Sequence, residues 1–406
     1  MSLKQVSMRQ RIVVAAAGLL AVAGGVFGGT AAARASAVTP RTEPASTVAA
    51  SAAAGPGCPS DVGRPARALA SSGAIRHWGA GVPWRNVDTG WILAAAAKSA
   101  PTTANPPQTL YLIAPGGRRY TLGAAPAGTL SAWQPGGGYA LFESQPDNST
   151  TLAITLLNVK TGARSGFTMY SGLPFSQVAF TKPTGAALLV EAAATPHGFY
   201  LPLQRLGLNG TRELCYPPKY AGSGFQENAT GTELVFGAAN GLDIVSNSGQ
   251  LVRTLPGSSG CGAMDMWNGQ SVVANCDGQL MVFPLSGAKP TALTSSRDGG
   301  SFVGAWHLPS GTYAEAAACG TTWLEKLNQN GAAARLTIPG AATAGTVNPL
   351  GTYGDELPLQ IGGGCDTKFA YSMIDWYNPS ANTAKTVLGG PSGGGYVMTA
   401  ELYQEP

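Results

Sequence analysis

Apolar and polar positions alternate in short runs along most of the chain, and glycine-containing turns separate these runs. The clearest unit begins with Leu130–Trp133 and continues, after a Gly/Pro turn, with Tyr139–Phe142. A polar loop, the run Leu152–Leu157, a turn at residues 160–162 and a final run ending near Met169 complete the unit. Short apolar or alternating runs bounded by such turns are typical of β-strands. The unit therefore predicts about four antiparallel strands.

Units of this kind recur along the chain. Turn glycines in comparable positions are 48, 47, 46, 38, 42 and 40 residues apart; they are Gly90, Gly138, Gly185, Gly231, Gly269, Gly311 and Gly351. The other runs that match the third strand are Leu110–Ile113, Leu203–Leu208, Leu242–Val245, Leu280–Phe283, Trp323–Leu327 and Met373–Trp376. A period of roughly 40 to 50 residues with four strands per unit is the signature of a β-propeller.

The expected fold is therefore an all-β propeller over residues 58–406, with seven blades of about four antiparallel strands. One small sheet cannot bury both of its faces, so the blades must stack around a common axis. The last run, Tyr396–Tyr403, is a leftover strand that we expect to close the ring near Ala74–Trp78, which removes an exposed edge. Residues from about Cys58 to His77 predict an irregular lead-in, or a short helix over Arg64–Ser71. Two packed β-sandwiches are the alternative architecture, and they predict no regular period.

The second unit resembles a blade of the TolB-like propellers, which are related to WD-type repeats. The resemblance lies in Ala132–Phe142, with its aromatic residue, turn and apolar strand, and in Leu156–Gly162 downstream. Val178–Gly185 and Gly304–Gly311 show a similar pattern, although the family's aspartate before the turn glycine is absent from all three. The resemblance implies the fold, which hosts many unrelated functions.

Residues 1–37 predict a cleavable secretory signal. The uncharged apolar run Ile12–Phe27 follows three basic residues, Lys4, Arg9 and Arg11. Ala35–Ala37 fits the A-x-A cleavage pattern, and Thr30–Ala32 is a second choice. The apolar run is shorter than the roughly 20 residues of a spanning helix, which favours cleavage over retention as a membrane anchor. We therefore expect a secreted protein, with Val38–Gly57 as a flexible Ala/Ser/Pro-rich linker.

The mature body has no net charge. The full chain carries 25 basic and 21 acidic residues, and four basic residues lie in the signal: Lys4, Arg9, Arg11 and Arg34. Their removal leaves 21 of each sign, so no basic surface is expected for nucleic acid. Nothing after the signal is apolar enough to span a membrane. The expected partner is an extracellular protein, peptide or glycan, and the expected state is a monomer.

The six cysteines predict disulfides, because an even number in an exported chain usually forms a disulfide framework. Cys261 and Cys276 flank the turn residues Asn268 and Gly269, which suits two strands of one hairpin. Such a loop contributes about 3 kcal/mol in the chain-entropy description. By elimination, the remaining pairs would be Cys319 with Cys365 and Cys58 with Cys215.

The candidate site residues are scattered. His197 lies in a predicted loop and His307 directly precedes a turn, so either could contact a ligand. Carboxylates near predicted inner strands or turns could line the central channel; they are Asp265, Asp277, Asp366 and Asp375. Glycoside hydrolysis needs two carboxyl groups at a defined separation, which a linear sequence cannot show. Most tryptophans follow the repeat and predict core, with a sugar-stacking role for a few as the alternative.

The sequence shows no catalytic constellation, metal-ligand spacing or cofactor motif. The function it favours is a secreted, non-catalytic propeller that binds a protein, peptide or glycan. The alternatives are an extracellular carbohydrate-active hydrolase or lyase that uses channel carboxylates, and a structural envelope component.

Overall fold

The computed structural model describes residues 65–101, 106–145, 151–170, 176–192, 202–221, 224–267, 270–295, 301–318, 320–328, 332–341, 344–363, 371–390 and 395–403. Within these residues the chain forms 29 β-strands and two three-residue 3-10 helices, Trp84–Asn86 and Pro218–Tyr220. None of the described helices is long and apolar enough to cross a membrane. The strands form seven antiparallel sheets arranged as the blades of a ring.

Strands are numbered in chain order. Blade I contains β2 (Ile92–Ala97), β3 (Gln108–Ile113), β4 (Arg119–Ala124) and β29 (Tyr396–Leu402). Blade II contains β5 (Thr129–Trp133), β6 (Tyr139–Ser144), β7 (Thr151–Asn158) and β8 (Arg164–Tyr170), with β1 (Pro65–Ala68) added at its outer edge. Blade III contains β9 (Ser176–Phe180), β10 (Ala187–Ala192), β11 (Gln204–Gly207) and β12 (Arg212–Cys215).

Blade IV contains β13 (Phe225–Glu227), β14 (Glu233–Ala238), β15 (Gly241–Ser246) and β16 (Leu251–Thr254). Blade V contains β17 (Cys261–Trp267), β18 (Ser271–Cys276), β19 (Gln279–Pro284) and β20 (Thr291–Ala292). Blade VI contains β21 (Ser301–Leu308), β22 (Gly311–Ala318), β23 (Thr321–Leu327) and β24 (Ala333–Arg335). Blade VII contains β25 (Thr346–Pro349), β26 (Leu357–Gly362), β27 (Met373–Asn378) and β28 (Thr383–Gly389). The seven-bladed propeller expected from the repeat is confirmed.

Alternation along each strand distributes apolar side chains to both neighbouring blades. On β15, Leu242 and Ile244 join the core shared with blade V, whereas Val245 joins the core shared with blade III. Successive side chains of a strand point to opposite faces of the sheet, so a blade buries one face on each side. Each blade therefore depends on both neighbouring blades to bury its apolar faces.

Hydrogen bonds from second strands to the next blade reinforce the stacking. The Asn275 side chain on β18 donates from Nδ2 to the carbonyl oxygen of Phe302 on β21, at 3.0 Å. Gln360 on β26 donates from Nε2 to the carbonyl oxygen of Met398 on β29, at 3.1 Å. The register of β21 shifts just after Phe302, which interrupts the backbone pairing with β22. The Phe302 carbonyl can therefore accept the hydrogen bond from the Asn275 side chain.

The ring is closed by β29, as expected, but at a different place. β29 pairs with β2, from Ile92 opposite Leu402 to Ala97 opposite Tyr396, and becomes the first strand of blade I. The expected partner, Ala74–Trp78, lies instead against the outer part of blade II. There the Ile75 N–H donates to the carbonyl oxygen of Thr161. The expectation failed because β2 is buried on both faces. Without β29, one edge of β2 would carry a row of buried, unpaired backbone groups, and pairing with another strand satisfies them.

The lead-in segment, residues 65–86, is extended rather than helical over its first residues. β1 pairs with β8, and beyond it the Leu69 N–H donates to the Gly166 carbonyl at 2.8 Å. Trp78 then inserts between blades I and II, where its indole N–H donates to the Val159 carbonyl at 2.8 Å. The Trp78 ring covers Gly123 and Gly162 so closely that a Cβ on either glycine would overlap it. Of the two alternatives for this segment, the short helix is wrong over residues 65–71, because backbone groups there pair with a distant strand.

A disulfide joins Cys261 and Cys276, which lie directly opposite each other on β17 and β18. This pairing was expected from their spacing and is confirmed. Cys215 is also disulfide-bonded. Cys58, Cys319 and Cys365 lie outside the described residues, so the pairs Cys58 with Cys215 and Cys319 with Cys365 stay predictions.

Candidate functional site

The two ends of the ring differ in the connections they carry. In an antiparallel sheet the connections alternate between the ends. Turns from first to second and from third to fourth strands lie at one end, named here the turn end. Connections from second to third strands and between blades lie at the other, the connection end. First strands of neighbouring blades contact one another, β29 with β5 and β5 with β9 among them, so they surround the axis.

Of the candidate residues from the sequence, those whose side chains the structure describes do not converge. His307 lies near the end of β21, at the turn end, where it is exposed and its Nδ1 lies 3.1 Å from Thr312 Oγ1. Asp277 is exposed in the tight connection between β18 and β19, at the connection end, with φ +50°. Asp265 belongs to β17, a first strand, but its side chain is not among those described. His197 and Asp366 lie outside the described residues.

Asp375 is buried within blade VII and does not line the axis. It is 1% exposed on β27, and burial raises its pKa although a hydrogen bond with Thr386 opposes that shift. Its Oδ1 has no hydrogen-bond donor among the described residues. Met373 and Tyr377, on the same face of β27, join the core shared with blade VI. Asp375 therefore belongs to a blade interface.

Asp243 occupies the matching position of blade IV. Each aspartate lies on the third strand, opposite an apolar residue of the second strand and a threonine of the fourth. Asp243 Oδ2 accepts hydrogen bonds from Lys219 Nζ at 3.1 Å and Tyr220 Oη at 2.9 Å, and Oδ1 accepts one from Thr254 Oγ1 at 2.5 Å. Burial opposes its ionisation, but these three donors hold its pKa below the ordinary range. The cluster fixes the connection between blades III and IV.

Polar contacts also join neighbouring blades at the turn end. Gln134 of blade II donates from Nε2 to the Gly185 carbonyl of blade III at 2.9 Å. Glu227 of blade IV accepts from the Lys182 backbone N–H of blade III at 2.8 Å. Desolvation raises the pKa of Glu227 to about 7, although that N–H and the Lys182 and Arg205 charges favour its ionised form. Gln134 and Glu227 therefore bond to backbone groups of the neighbouring blade and hold the blades together.

A cleft of about 240 Å³ opens between blades VII and I, next to the ring closure. We name it the seam cleft, and its lining residues are Pro115, Glu356, Trp376, Asn378, Thr383, Ala384 and Lys385. Lys385 Nζ crosses the seam and donates to the Gly116 carbonyl at 3.0 Å. The volume is below the roughly 300–1,000 Å³ of sites for drug-sized molecules, so it suits one small polar unit.

The floor of the seam cleft is Trp376, which is 4% exposed. Its indole N–H is buried and has no acceptor among the described residues. An unsatisfied buried donor costs about 1–3 kcal/mol, which makes an incoming acceptor favourable. Asn378, at the end of β27, accepts backbone hydrogen bonds at Oδ1 from Ser380 and Ala381, at 3.1 and 2.9 Å. This turn holds the Asn378 amide beside the floor.

A rigid turn between β25 and β26 presents an exposed aromatic ring beside the cleft. Tyr353 and Glu356 exchange two backbone hydrogen bonds of 3.0 Å, which fixes the four-residue turn. The Tyr353 ring is 36% exposed and packs edge-on against Trp376, with centroids 5.7 Å apart. The ring also covers Gly90, where φ is +85° and a Cβ would lie within 2.5 Å of the ring. Glycine is therefore required at residue 90.

The neighbouring Asp355 is committed to a structural role. Its Oδ1 accepts from the Ser310 backbone N–H at 3.0 Å and from the Ser310 hydroxyl, across the interface between blades VI and VII. Burial alone would raise the pKa of Asp355, but the hydrogen bonds from Ser310 and Ser380 lower it. An ionised carboxylate held in this way is a poor proton donor, so Asp355 does not suit general-acid chemistry.

Sequence reasoning missed the seam cleft. Trp376 was expected in the core and is buried, but Tyr353, Glu356 and Asn378 drew no attention. A signal existed, because seven residues separate β25 from β26, whereas two separate β21 from β22. The described residues contain no group of three or more His, Cys, Asp or Glu side chains that could hold a metal ion.

Solved structures similar to this chain are β-propellers and proteins that contain them. The β-propeller domain of the Trilobed protease from Pyrococcus furiosus is 9% identical with a TM-score of 0.50, covering 74% of this chain and 95% of that domain. Pyrococcus horikoshii acylaminoacyl peptidase is 10% identical, also with a TM-score of 0.50, covering 74% of this chain and 51% of the peptidase.

This chain therefore spans about half the length of that peptidase. A prolyl endopeptidase is 13% identical with a TM-score of 0.48, and the match covers 80% of this chain and 50% of the endopeptidase. No family model matches the chain, and no curated protein does. At these identities the similarity concerns the fold alone. The chain is a seven-bladed β-propeller.

Proposed function

We propose that this protein is an exported propeller of the TolB-like and WD-related type that binds an extracellular protein, peptide or glycan and leaves it unchanged. The observation that carries the proposal is the seam cleft, where an exposed aromatic ring lies beside a small cavity lined by both polar and apolar groups. A few convergent polar groups next to an aromatic surface are what a binding site needs to fix one ligand orientation.

Export is supported by the composition of the chain and by its disulfide. The apolar run Ile12–Phe27 after basic residues matches a secretory signal. The Cys261–Cys276 disulfide is of a kind that persists in oxidising compartments. Expression of the full chain in a bacterial host, with N-terminal sequencing of exported protein, tests this part. We expect the mature chain to begin at Val38; an intact residue 1 on membrane-bound protein would contradict cleavage.

Binding without turnover is tested with purified residues 38–406. Glycan and peptide arrays would identify ligands, and mass spectrometry of the recovered ligand would show whether it has been altered. We expect saturable binding and an unchanged ligand. A ligand recovered as cleaved or eliminated product would instead support the carbohydrate-active alternative. The cleft does not favour that alternative, because Glu356 is the one carboxylate among its described lining residues and glycoside hydrolysis uses two.

A further inference from the structure

We infer that the seam cleft binds a single uncharged sugar unit of a glycan, an inference that rests on the proposed binding function. The first support is the balance of hydrogen-bonding groups around the cleft. Glu356 supplies acceptors, Lys385 supplies donors, the Asn378 amide supplies a donor, and the Thr383 hydroxyl can supply both. A sugar ring carries several hydroxyl groups that each donate and accept, so it needs this mixed lining.

The second support is the aromatic surface. Sugar rings present C–H faces that pack on aromatic rings, and Tyr combines an apolar ring with a polar tip. Tyr353 is the aromatic residue beside the cleft with an exposed ring, held in place by Trp376 and Gly90. Trp376 adds an indole N–H without an acceptor among the described residues.

The third support is charge. The lining has one carboxylate, Glu356, and one ammonium group, Lys385, so it is formally neutral. Lys385 already donates to the Gly116 carbonyl, which reduces its capacity to attract an anion. A sugar acid would meet Glu356 as well as Lys385, and an amino sugar would meet both groups too, so attraction and repulsion offset each other. The cleft therefore gives a charged sugar no electrostatic advantage over a neutral hexose.

The chain provides a matched control for a test. Asn158 ends the third strand of blade II and accepts backbone hydrogen bonds at Oδ1 from Lys160 and Thr161, at 3.1 and 3.0 Å. Asn378 makes the same turn in blade VII, but it also lines the cleft. Replacement of either residue by aspartate keeps an Oδ1 acceptor, replaces the amide donor with a carboxylate oxygen and adds one negative charge. Only Asn378→Asp removes a donor from the cleft.

The experiment measures binding of neutral, amino and uronic oligosaccharides on an array, followed by calorimetry with the strongest ligand, free and as a glycopeptide. We expect a neutral sugar to bind and Asn378→Asp to weaken binding at least about tenfold, while Asn158→Asp changes it less than about twofold. Tyr353→Ala should abolish binding, and Tyr353→Phe should retain most of it. Thermal unfolding of each variant would confirm the fold. Equal binding of free glycan and glycopeptide would identify the sugar itself as the recognised unit.

Three outcomes would overturn the inference. Sugar binding that Asn378→Asp and Asn158→Asp affect equally would place the ligand elsewhere. Strong preference for a charged sugar, or binding of bare peptides that Tyr353→Ala removes, would show a different ligand class in the cleft. In each case binding itself remains, so the proposed function stands. Failure of every glycan and peptide to bind would overturn the proposed function as well.

Discussion

At the scale of single residues, two aspartates in matching positions show how surroundings decide the role of a buried charge. Asp243 accepts three hydrogen bonds, one of them from a lysine, whereas Asp375 has an oxygen without a donor among the described residues. A buried carboxylate is stable as an anion only when donors replace the water that it lost. The repeat therefore tolerates a carboxyl group at this position in both blades, and of the two, blade IV compensates its charge with hydrogen-bond donors.

We predict opposite consequences for their replacement by asparagine. Asp243→Asn removes an ionic acceptor and should lower the free energy of unfolding by about 2 kcal/mol at pH 8. Asp375→Asn removes a charge that burial disfavours, so it should change stability by less than about 1 kcal/mol, or increase it. Urea unfolding at pH 8 measures both variants. Equal destabilisation by the two substitutions would contradict this explanation.

Glu227 should make stability depend on pH near neutrality. Its pKa of about 7 in the folded protein exceeds its ordinary value of 4.5, so the folded state binds a proton more tightly than the unfolded state. The stabilisation is complete below about pH 4.5 and is lost as the pH rises through 7. Glu227→Gln should remove this dependence and stabilise the protein by on the order of 2–3 kcal/mol at pH 8.

Urea unfolding at pH 5 and pH 8 tests the prediction for Glu227, with the exposed Asp277→Asn as the control. We expect the control to keep the wild-type difference between the two pH values. A difference that is the same in Glu227→Gln as in the wild type would show that other groups cause it.

At the scale of elements, the lead-in segment stabilises the interface between blades I and II from outside. Trp78→Ala should lower the free energy of unfolding by about 3–5 kcal/mol, because it leaves a cavity over Gly123 and Gly162 and removes the hydrogen bond to Val159. The exposed Ile75→Ala, in the same segment, should cost less than about 0.5 kcal/mol. Chemical unfolding of both variants checks the comparison, and a mild effect of Trp78→Ala would contradict it.

The sequence predicted best those elements whose strands pair with their neighbours in sequence. Turn glycines and alternating runs identified the four strands of blade II and the third strand of every blade, because hairpin pairing involves neighbours in sequence. The alternative of a short helix over Arg64–Ser71 was wrong because β1 pairs with β8, about 100 residues later. The sequence did not predict the seam cleft for the same reason, because Pro115 and Asn378 come together only when the ring closes.

At the scale of the whole molecule, β29 joins the two ends of the propeller. It pairs with β2 along six positions and buries Val397, Ala400 and Leu402 against blades VII and I. A chain that stops after residue 395 should leave β2 as an unpaired apolar edge, which promotes aggregation. We expect this truncation to lose cooperative unfolding and to bind a hydrophobic dye, whereas removal of residues 404–406 alone should preserve the folded protein.

Addition of a synthetic peptide, residues 396–403, to the truncated chain completes the test. We expect partial recovery of the folded state, because the missing strand contributes backbone pairing that needs no covalent link. Cooperative unfolding of the truncated chain without the peptide would show that β29 is dispensable.

The position of β29 has a consequence for how the protein acquires its structure. A chain that emerges from its N-terminus presents β2, β3 and β4 about 300 residues before β29, the remaining strand of blade I, exists. Contacts between such distant segments slow folding, since loop-closure entropy must be overcome before they form. The first blade is thus the last to be completed. Until β29 pairs with it, the apolar edge of β2 is exposed, where a chaperone could bind it or another chain could pair with it incorrectly.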